Sequence, residues 1–380
     1  MIIGEIAQLY HVSVYPVSLS SYTSQIWAGL DELNASGDIE LTYTSSPEAK
    51  IEERNGQYHF PNNQHVFYLE LRPEPNAKPV LVCYDLMDNE GISSWSGLEK
   101  CDLYFKRSFS KEFLKSPERP WKDSNPEWTQ KIRPYGLNYP CESNAAPSQL
   151  MRNLRHLHAS GGWRRQPSSE LRKILARLKS PRRNASWHIP IEEFEAPPTS
   201  KTEEVVLLQT RLFADDNSEE VQTINRERVD LVRALKAAFD DRFIGGFMPS
   251  DQAQRQCPDL ITNQPSDRPS YLKLLRNSQV VAFSRGLVNS VGWRFGELTA
   301  NSCCIVSERM RYELPDPLVD RENLLWFHSP ESCVQACDEL LSNPGMAQEI
   351  RENNYEYYNR YVRPNALVKN TLDIANELAT

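Results

Sequence analysis

The stretch 279–306 constrains the fold of this 380-residue chain more than any other. An apolar run, Gln279 to Phe283, leads into a polar loop that ends at Gly292. A short helical stretch then precedes a second apolar run, Cys303 to Val306. This order predicts a β-loop-α-β unit. Ligands of open α/β sheets bind beyond the carboxyl ends of the strands, so the polar loop is where a site is expected.

The loop and the predicted helix after it combine cationic, acidic and glycine residues. Arg294 and Glu297 stand three apart and project from one face of the predicted helix. A guanidinium matches a phosphate with its planar donor fork, and a carboxylate accepts hydrogen bonds from sugar hydroxyls. Gly286 and Gly292 precede the helix N-terminus, whose free N–H groups favour an anion. This combination predicts a nucleotide-sugar site. The alternative is a surface ion pair between Arg294 and Glu297, and the position of Arg285-Gly286 at the exit of a buried-type strand favours the site.

Length and composition indicate a globular protein of two domains. A chain of 380 residues exceeds what one hydrophobic core usually supports. No apolar run reaches the length of about 18 residues that a membrane helix needs, and the N-terminus, with Glu5 and no basic start, is a poor signal peptide. Eight scattered cysteines, several of them in strand-like runs, predict buried thiols in a reducing compartment and hence a cytoplasmic protein.

Strands alternate with helical segments in both halves of the chain, which predicts parallel sheets covered by helices. The alternation restarts after Ala196-Pro197-Pro198, a proline-stiffened stretch typical of a linker. We therefore predict an α/β protein with an N-terminal domain over residues 1–190 and a second domain over residues 200–362.

The charge is distributed unevenly. A net charge of −8 argues against nucleic-acid binding, but residues 151–184 contain ten Lys or Arg and one acid, Glu170. A solvated linker explains this segment, and so does contact with an anionic acceptor or with an acidic membrane surface. Both interpretations stay open at this point.

The segment 279–306 and its surroundings resemble the donor-binding half of GT-B glycosyltransferases, most closely the exostosin-like group. The similarity covers roughly residues 203–362, less than half of the chain. The residues that carry it, in order, are Gln209-Thr210-Arg211, Arg228, Gly245-Gly246, Tyr271-Leu272, Phe283, Arg285-Gly286, Ser290, Arg294-Phe295, Glu297-Leu298, Cys304-Ile305-Val306, Leu314-Pro315, Tyr357-Tyr358, Tyr361 and Pro364.

The resemblance implies two Rossmann-like domains that face each other across a cleft, with residues 363–380 forming a last helix that packs back on the N-terminal domain. It implies transfer of a sugar from a nucleotide-sugar donor, a UDP-sugar first and a GDP-sugar second, to a glycan or lipid-linked acceptor. Two alternatives remain: a catalytically inactive glycan-binding or scaffold protein of the same fold, and a sugar-nucleotide epimerase. Many retaining members carry two glutamates with seven residues between them, and here Asn289 occupies the first position, which leaves the stereochemistry open.

Such a reaction needs cations for the leaving diphosphate and a base for the acceptor hydroxyl. The predicted donor-binding residues are Arg211, Arg285, Gly286, Ser290, Arg294 and Glu297. Asp85, which follows the apolar run 79–84, is the predicted base, and Lys106 with Arg107 are predicted to bind the acceptor. The acidic pairs Asp215-Asp216 and Asp240-Asp241 lack the Asp-x-Asp spacing, so we predict catalysis without a metal. No cofactor is expected, because the nucleotide sugar is a substrate.

Overall fold

The computed structural model describes residues 9–15, 20–43, 53–54, 57–58, 64–116, 125–147, 151, 189–214 and 218–379. The chain divides into two compact units. The first comprises Met1–Ile191 with Arg363–Thr380, and the second comprises Glu192–Val362.

The first unit is built on a six-stranded sheet in the order β2-β1-β5-β6-β7-β8. Its strands are β1 Tyr10–Val14, β2 Ile39–Tyr43, β5 Val66–Arg72, β6 Val80–Asp85, β7 Leu103–Lys106 and β8 Ile132–Pro134, with β3 Glu53–Arg54 and β4 Gln57–Tyr58 forming a separate pair. The helices that the structure describes before the second unit are α1 Ser24–Ser36, α2 Trp95–Lys100, α3 Lys111–Lys115, α4 Trp128–Lys131 and, at the boundary, α5 Ile191–Phe194.

One strand of this sheet differs from the prediction of parallel pairing. β5 runs antiparallel to both β1 and β6, whereas β1–β2, β6–β7 and β7–β8 are parallel. The reason lies in the connection: residues 73–79 join β5 to β6 without a helix. A parallel pair needs a crossover of a dozen or more residues, so this short link permits only a hairpin.

The last helix, α12 Pro364–Glu377, belongs to the first unit and packs against α1. The two helices approach closely at Gly29, where an added Cβ would lie 2.3 Å from the carbonyl oxygen of Pro364. Tyr84 shares a 2.8 Å hydrogen bond with Thr371 in the buried layer beneath. The absence of a side chain at position 29 is therefore what lets the C-terminal helix close over this sheet.

The second unit has a five-stranded sheet in the order β10-β9-β11-β12-β13, and every neighbouring pair is parallel. Its strands are β9 Glu203–Thr210, β10 Phe243–Phe247, β11 Ser278–Phe283, β12 Ile305–Glu308 and β13 Leu324–Phe327. Its helices are α6 Glu219–Phe239, α7 Asp251–Gln256, α8 Arg268–Asn277, α9 Arg294–Ala300, α10 Pro330–Ser342 and α11 Pro344–Tyr357, followed by a π-helical turn, Tyr358–Val362.

Local sequence explains where the longer helices of this unit begin. Ser218 caps α6 by accepting a hydrogen bond from the N–H of Val221, and Asp267 caps α8 through the N–H of Ser270. The central strands have buried apolar segments, Val206–Leu208 in β9 and Val280–Ala282 in β11, as expected where helices cover both faces of a parallel sheet. The predicted α/β class, with two mainly parallel sheets, is confirmed.

The proline-stiffened segment after α5 packs on the second unit. The N–H of Ala196 donates to Ala300 O at 3.1 Å, and Ser302 Oγ donates to Ala196 O at 2.6 Å. The basic segment 151–184 lies outside the described residues, except for Met151. Among the helices that the structure describes, none is long and apolar enough to cross a membrane.

Candidate functional site

The sheet of the second unit has a topological switch point between β9 and β11. The chain leaves β9 toward α6 and β10 on one side, and leaves β11 toward α9 and β12 on the other. At such a point the two connections diverge and open a crevice at the carboxyl ends of the strands. Arg211 follows β9 and Arg285 follows β11. The structure therefore brings these two predicted residues to the same edge of the sheet.

Arg294, at the first position of α9, is anchored to the end of β9. Its Nη1 donates to the carbonyl oxygen of Gln209, and its guanidinium lies 4.8 Å from the centre of the Tyr271 ring. The side chain thus adds a third cation at the switch point. The helix itself has only seven residues, so the site depends on these side chains rather than on the helix terminus.

Arg285 is held by three contacts. Its N–H donates to Glu308 Oε2 at 2.5 Å, its Nη1 donates to Asn289 Oδ1 at 3.1 Å, and its Nη2 lies 2.7 Å from Glu227 Oε2. The Glu227 side chain is 45% exposed, so that ion pair is solvated and weak. Burial raises the pKa of Glu308, against the lowering effect of the Arg285 N–H and guanidinium. Arg211, by comparison, is exposed and lies 5.2 Å from the centre of the Phe213 ring.

Glu297 is fully buried, with 0% of its side chain exposed. Arg268 Nη1 donates to its Oε1, while its Oε2 has no hydrogen-bond partner among the described residues. Burial raises the pKa of this carboxyl, and the nearby Arg268 and Arg294 oppose that shift. This arrangement differs from a surface pair between Arg294 and Glu297, because Glu297 is buried and each of the two binds a different partner, Arg268 for Glu297 and the carbonyl oxygen of Gln209 for Arg294.

The loop between β11 and α9 is compact and strained. The N–H of Gly286 donates to Ser290 O at 3.0 Å, and a Cβ at Gly286 would lie 2.6 Å from Ser290 Oγ. Val288 and Asn289 both have left-handed backbone, with φ of 52° and 55°. This region is unfavourable for a β-branched residue. Val288 is held there by Glu220, which accepts from its N–H, and by the Tyr312 hydroxyl, which donates to its carbonyl at 2.6 Å.

The residues predicted for catalysis and acceptor binding lie at one edge of the sheet in the first unit. Asp85 ends β6 with 0% exposure, and Lys106 ends β7 with its Nζ 3.1 Å from Asp85 Oδ1. Tyr104, Ser93 and the N–H of Met87 also donate to the Asp85 carboxylate. Arg107 pairs with Asp88.

These contacts favour a structural role for Asp85 over the predicted role of base, since a base must reach the acceptor proton. Lys106 is only 2% exposed, and burial lowers its pKa. Its enclosed ammonium suits the Asp85 pair better than an acceptor. Both assignments stay predictions.

Sequence reasoning missed three side chains near these sites. Arg268, the partner of Glu297, comes 29 positions earlier in the chain. Glu308 gives no local signal beyond its place at the end of β12. In the first unit, His65 is half-buried beside the Tyr22 ring, with centroids 4.0 Å apart. Burial lowers the pKa of His65, although Asp88 and Asp85 act in the opposite direction.

No group of three or more His, Cys, Asp or Glu within the described ranges is arranged to hold a metal ion. All eight cysteines are buried, and none of them forms a disulfide in the described part of the chain. Cys333 and Cys337 contribute to the apolar core of the second unit, beneath α10. Metal independence itself stays a prediction.

The edge of the sheet beyond β9 and β11 thus combines the buried Glu297 with four arginines, which are Arg211, Arg268, Arg285 and Arg294.

Residues 222–373 match a glycosyl transferase-like family model. This match takes in α6 to α12 and includes Arg228, Arg285, Arg294 and Glu297. It supports the coarser part of the resemblance, a glycosyltransferase-like second unit, and does not distinguish the exostosin-like group. Among curated proteins, none matches the chain.

Several solved structures are similar to this chain at low identity. One is the C-terminal domain of a glycosyl transferase group 1 family protein from Francisella tularensis, with 13% identity over 45% of this chain and 97% of that one, at a TM-score of 0.34. A glycosyltransferase from Rickettsia africae has 13% identity over 73% of this chain and 63% of its own, at 0.39. A protein described as a putative UDP-N-acetylglucosamine 2-epimerase from Listeria monocytogenes has 12% identity over 97% and 73%, at 0.37. These likenesses carry no inference about substrate.

Proposed function

We propose that this protein is a glycosyltransferase that takes its sugar from a nucleotide-sugar donor, a UDP-sugar first and a GDP-sugar second. The observation that carries the proposal is the grouping of Arg211, Arg285 and Arg294 at the switch point, within or beside the segment that matches the glycosyl transferase-like family. Cationic side chains placed where charge develops are the main means of stabilising a leaving diphosphate. The acceptor is a glycan or a lipid-linked glycan.

In this proposal each predicted residue has a chemical task. Arg211 and Arg285 contact the diphosphate, and Arg294 fixes the helix that carries Glu297. Glu297 accepts hydrogen bonds from the ribose through Oε2, the oxygen that Arg268 leaves open. Gly286 and Ser290 close the loop tightly enough for its backbone to approach the donor. The arginines neutralise the leaving group without a metal, and no cofactor takes part.

On the acceptor side, the first unit supplies the binding groups. Arg107 is the proposed contact, with the buried Lys106 beside it acting through its pair with Asp85. His65 is the first candidate for the base and Asp85 the second, because Tyr104 and Ser93 already donate to the Asp85 carboxylate. A half-buried histidine with a lowered pKa is neutral near pH 7, which is the state that accepts a proton. We place the protein in the cytoplasm, with residues 151–184 touching an acidic membrane surface.

The test is a thermal-shift screen with UDP, GDP and their common sugar conjugates, because a ligand that binds only the native state raises the melting temperature. Arg285→Ser should lose the shift, and Arg255→Ser, at an exposed site on α7, should keep it. Release of free sugar from a shifting donor would identify an enzyme. Binding without turnover would favour the inactive glycan-binding alternative, conversion of the sugar without transfer would favour the epimerase, and no shift with any nucleotide would refute the proposal.

A further inference from the structure

Arg228 has no role in the site described so far, although it lies at its centre. It occupies α6 and is only 6% exposed. Its Nη1 donates to the carbonyl oxygen of Arg211 at 2.6 Å, and its Nη2 donates to the carbonyl oxygen of Arg285 at 2.7 Å. One guanidinium therefore joins the backbone beyond β9 to the backbone beyond β11.

A second side chain on the same face of α6 supports the β9 exit. Asn225, three residues before Arg228, donates to Phe213 O and accepts from Phe213 N, both at 2.9 Å. The Arg228 guanidinium lies 4.6 Å from the centre of the Phe213 ring. Asn225 binds only the backbone that follows β9, whereas Arg228 binds the backbone that follows β9 and also the backbone that follows β11. Of these two side chains, Arg228 is therefore the one that connects the two loops.

The charge of Arg228 is poorly compensated. Burial is the main reason that its pKa falls to about 10, and the neighbouring Arg294, Arg211 and Arg285 lower it further, while Glu308 acts in the opposite direction. A buried cation surrounded by cations is costly to a folded protein unless something opposes it. An anion bound between the two strand exits would supply that opposition.

We infer that Arg228 is a positioning residue that sets the separation of the two strand exits, so that Arg211 and Arg285 present their side chains to the same diphosphate group. This inference rests on the proposed function. Arg228 acts through the backbone of the two residues that it joins: Nη1 and Nη2 each donate one hydrogen bond to a main-chain carbonyl, while Nε has no hydrogen-bond partner among the described residues.

Lysine cannot perform this task. The guanidinium offers two parallel donors in a rigid fork, whereas an ammonium is a single point charge on a flexible stem. An ammonium at position 228 would reach one carbonyl well and leave the other buried and unpaired, which is unfavourable. Arg228→Lys therefore keeps the charge and removes the bridge, and Arg228→Gln removes both. Arg233→Gln is the matched control, because Arg233 lies on the same helix and is exposed.

Each variant is tested by calorimetric titration with UDP, GDP, uridine, guanosine and inorganic pyrophosphate, well below its melting temperature. We expect both Arg228 variants to lose about tenfold or more in affinity for the diphosphates that the wild type binds, as loss of a charge-assisted hydrogen bond would cause. Nucleoside binding should stay as in the wild type, and Arg233→Gln should bind like the wild type.

Wild-type diphosphate affinity in Arg228→Lys would overturn the inference, because charge alone would then suffice. Equal losses for nucleosides and diphosphates would also overturn it, since they would indicate a general structural role. If the wild type binds pyrophosphate but neither nucleotide, the proposed function fails, and the pyrophosphate titrations still decide the role of Arg228. A wild type that binds none of the five probes refutes both.

Discussion

The Arg268 guanidinium donates through Nη1 to Oε1 of Glu297, and this contact ties the start of α8 to the first turns of α9. Glu297 is fully buried, while the Arg268 side chain keeps 18% of its surface exposed. The carboxylate therefore has one oxygen committed to the protein and one without a partner in the described structure. A ribose hydroxyl is the kind of donor that would complete it.

Replacing Glu297 by Ala should weaken binding of the donor nucleotide strongly. Loss of a buried, charged hydrogen-bond partner costs about 2–5 kcal/mol, which corresponds to a loss of affinity of roughly thirtyfold or more. The measurement is titration with UDP and GDP. Glu331→Ala, at an exposed position at the start of α10, serves as the control. Unchanged nucleotide affinity in Glu297→Ala would exclude Glu297 from the donor site.

The stability of Glu297→Gln should depend on pH in a defined direction. The folded-state pKa of Glu297 lies above its ordinary value of 4.5 because of burial. In the window between these two values the folded state binds more protons, so wild-type stability falls as the pH rises through it. Gln does not titrate, so the variant does not lose this stability. The free energy of unfolding of Glu297→Gln, relative to that of the wild type, should therefore be higher at pH 8 than at pH 4.5. Urea unfolding at both pH values measures this, and a relative loss at pH 8 would contradict it.

Asp85→Asn should destabilise the first unit. The change leaves the Lys106 ammonium, 2% exposed, without its ionised partner. Breaking a buried pair in this way typically costs about 3–5 kcal/mol. The melting temperature should fall clearly, whereas Glu99→Gln, at an exposed position on α2 of the same unit, should change it little. An Asp85→Asn protein that melts like the wild type and loses only turnover would instead support the predicted role as base.

Val288 offers a test of strain in the loop after β11. A left-handed conformation costs an L-residue about 1–2 kcal/mol, and glycine adopts it freely. Val288→Gly should therefore be at least as stable as Val288→Ala, the reverse of the usual order for these two residues. Chemical unfolding of both variants gives the comparison. If Val288→Ala is the more stable, the left-handed backbone at this position is not a source of strain.

Local sequence patterns predicted the strands and helices that carry the site, but they did not predict contacts between residues that are far apart in the chain. The apolar run 279–283 became β11, Ser278–Phe283, because strand formation follows periodicity within a few residues. Arg268 and Arg228 were not assigned to the site, because their partners lie 29, 17 and 57 positions away. The antiparallel pairing of β5 was missed for a different reason. The link formed by residues 73–79 is too short for a parallel crossover, but the alternation of strands and helices elsewhere in the chain favoured parallel pairing.

Turnover should not require a divalent metal. The proposal assigns the neutralisation of the leaving diphosphate to Arg211 and Arg285, and fixed cations of this kind can replace a metal. Activity with a donor from the screen should survive dialysis against EDTA. Loss of activity that manganese restores would contradict this and would call for metal ligands near the diphosphate.

Residues 151–184 should attract an acidic surface. Ten cations and one acid occur there in a protein of net charge −8, and each cation near an anionic membrane contributes about 1 kcal/mol. Screening limits this attraction to about 8 Å at physiological salt, so binding should weaken steeply as salt is added. Sedimentation with vesicles that contain or lack anionic lipid compares the wild type with a variant in which Arg164, Arg165, Arg182 and Arg183 are changed to Ser. Equal, negligible vesicle binding of both proteins would exclude contact with the membrane. An unchanged Michaelis constant for the acceptor in the same variant would exclude contact with an anionic acceptor as well. The segment would then be a solvated linker.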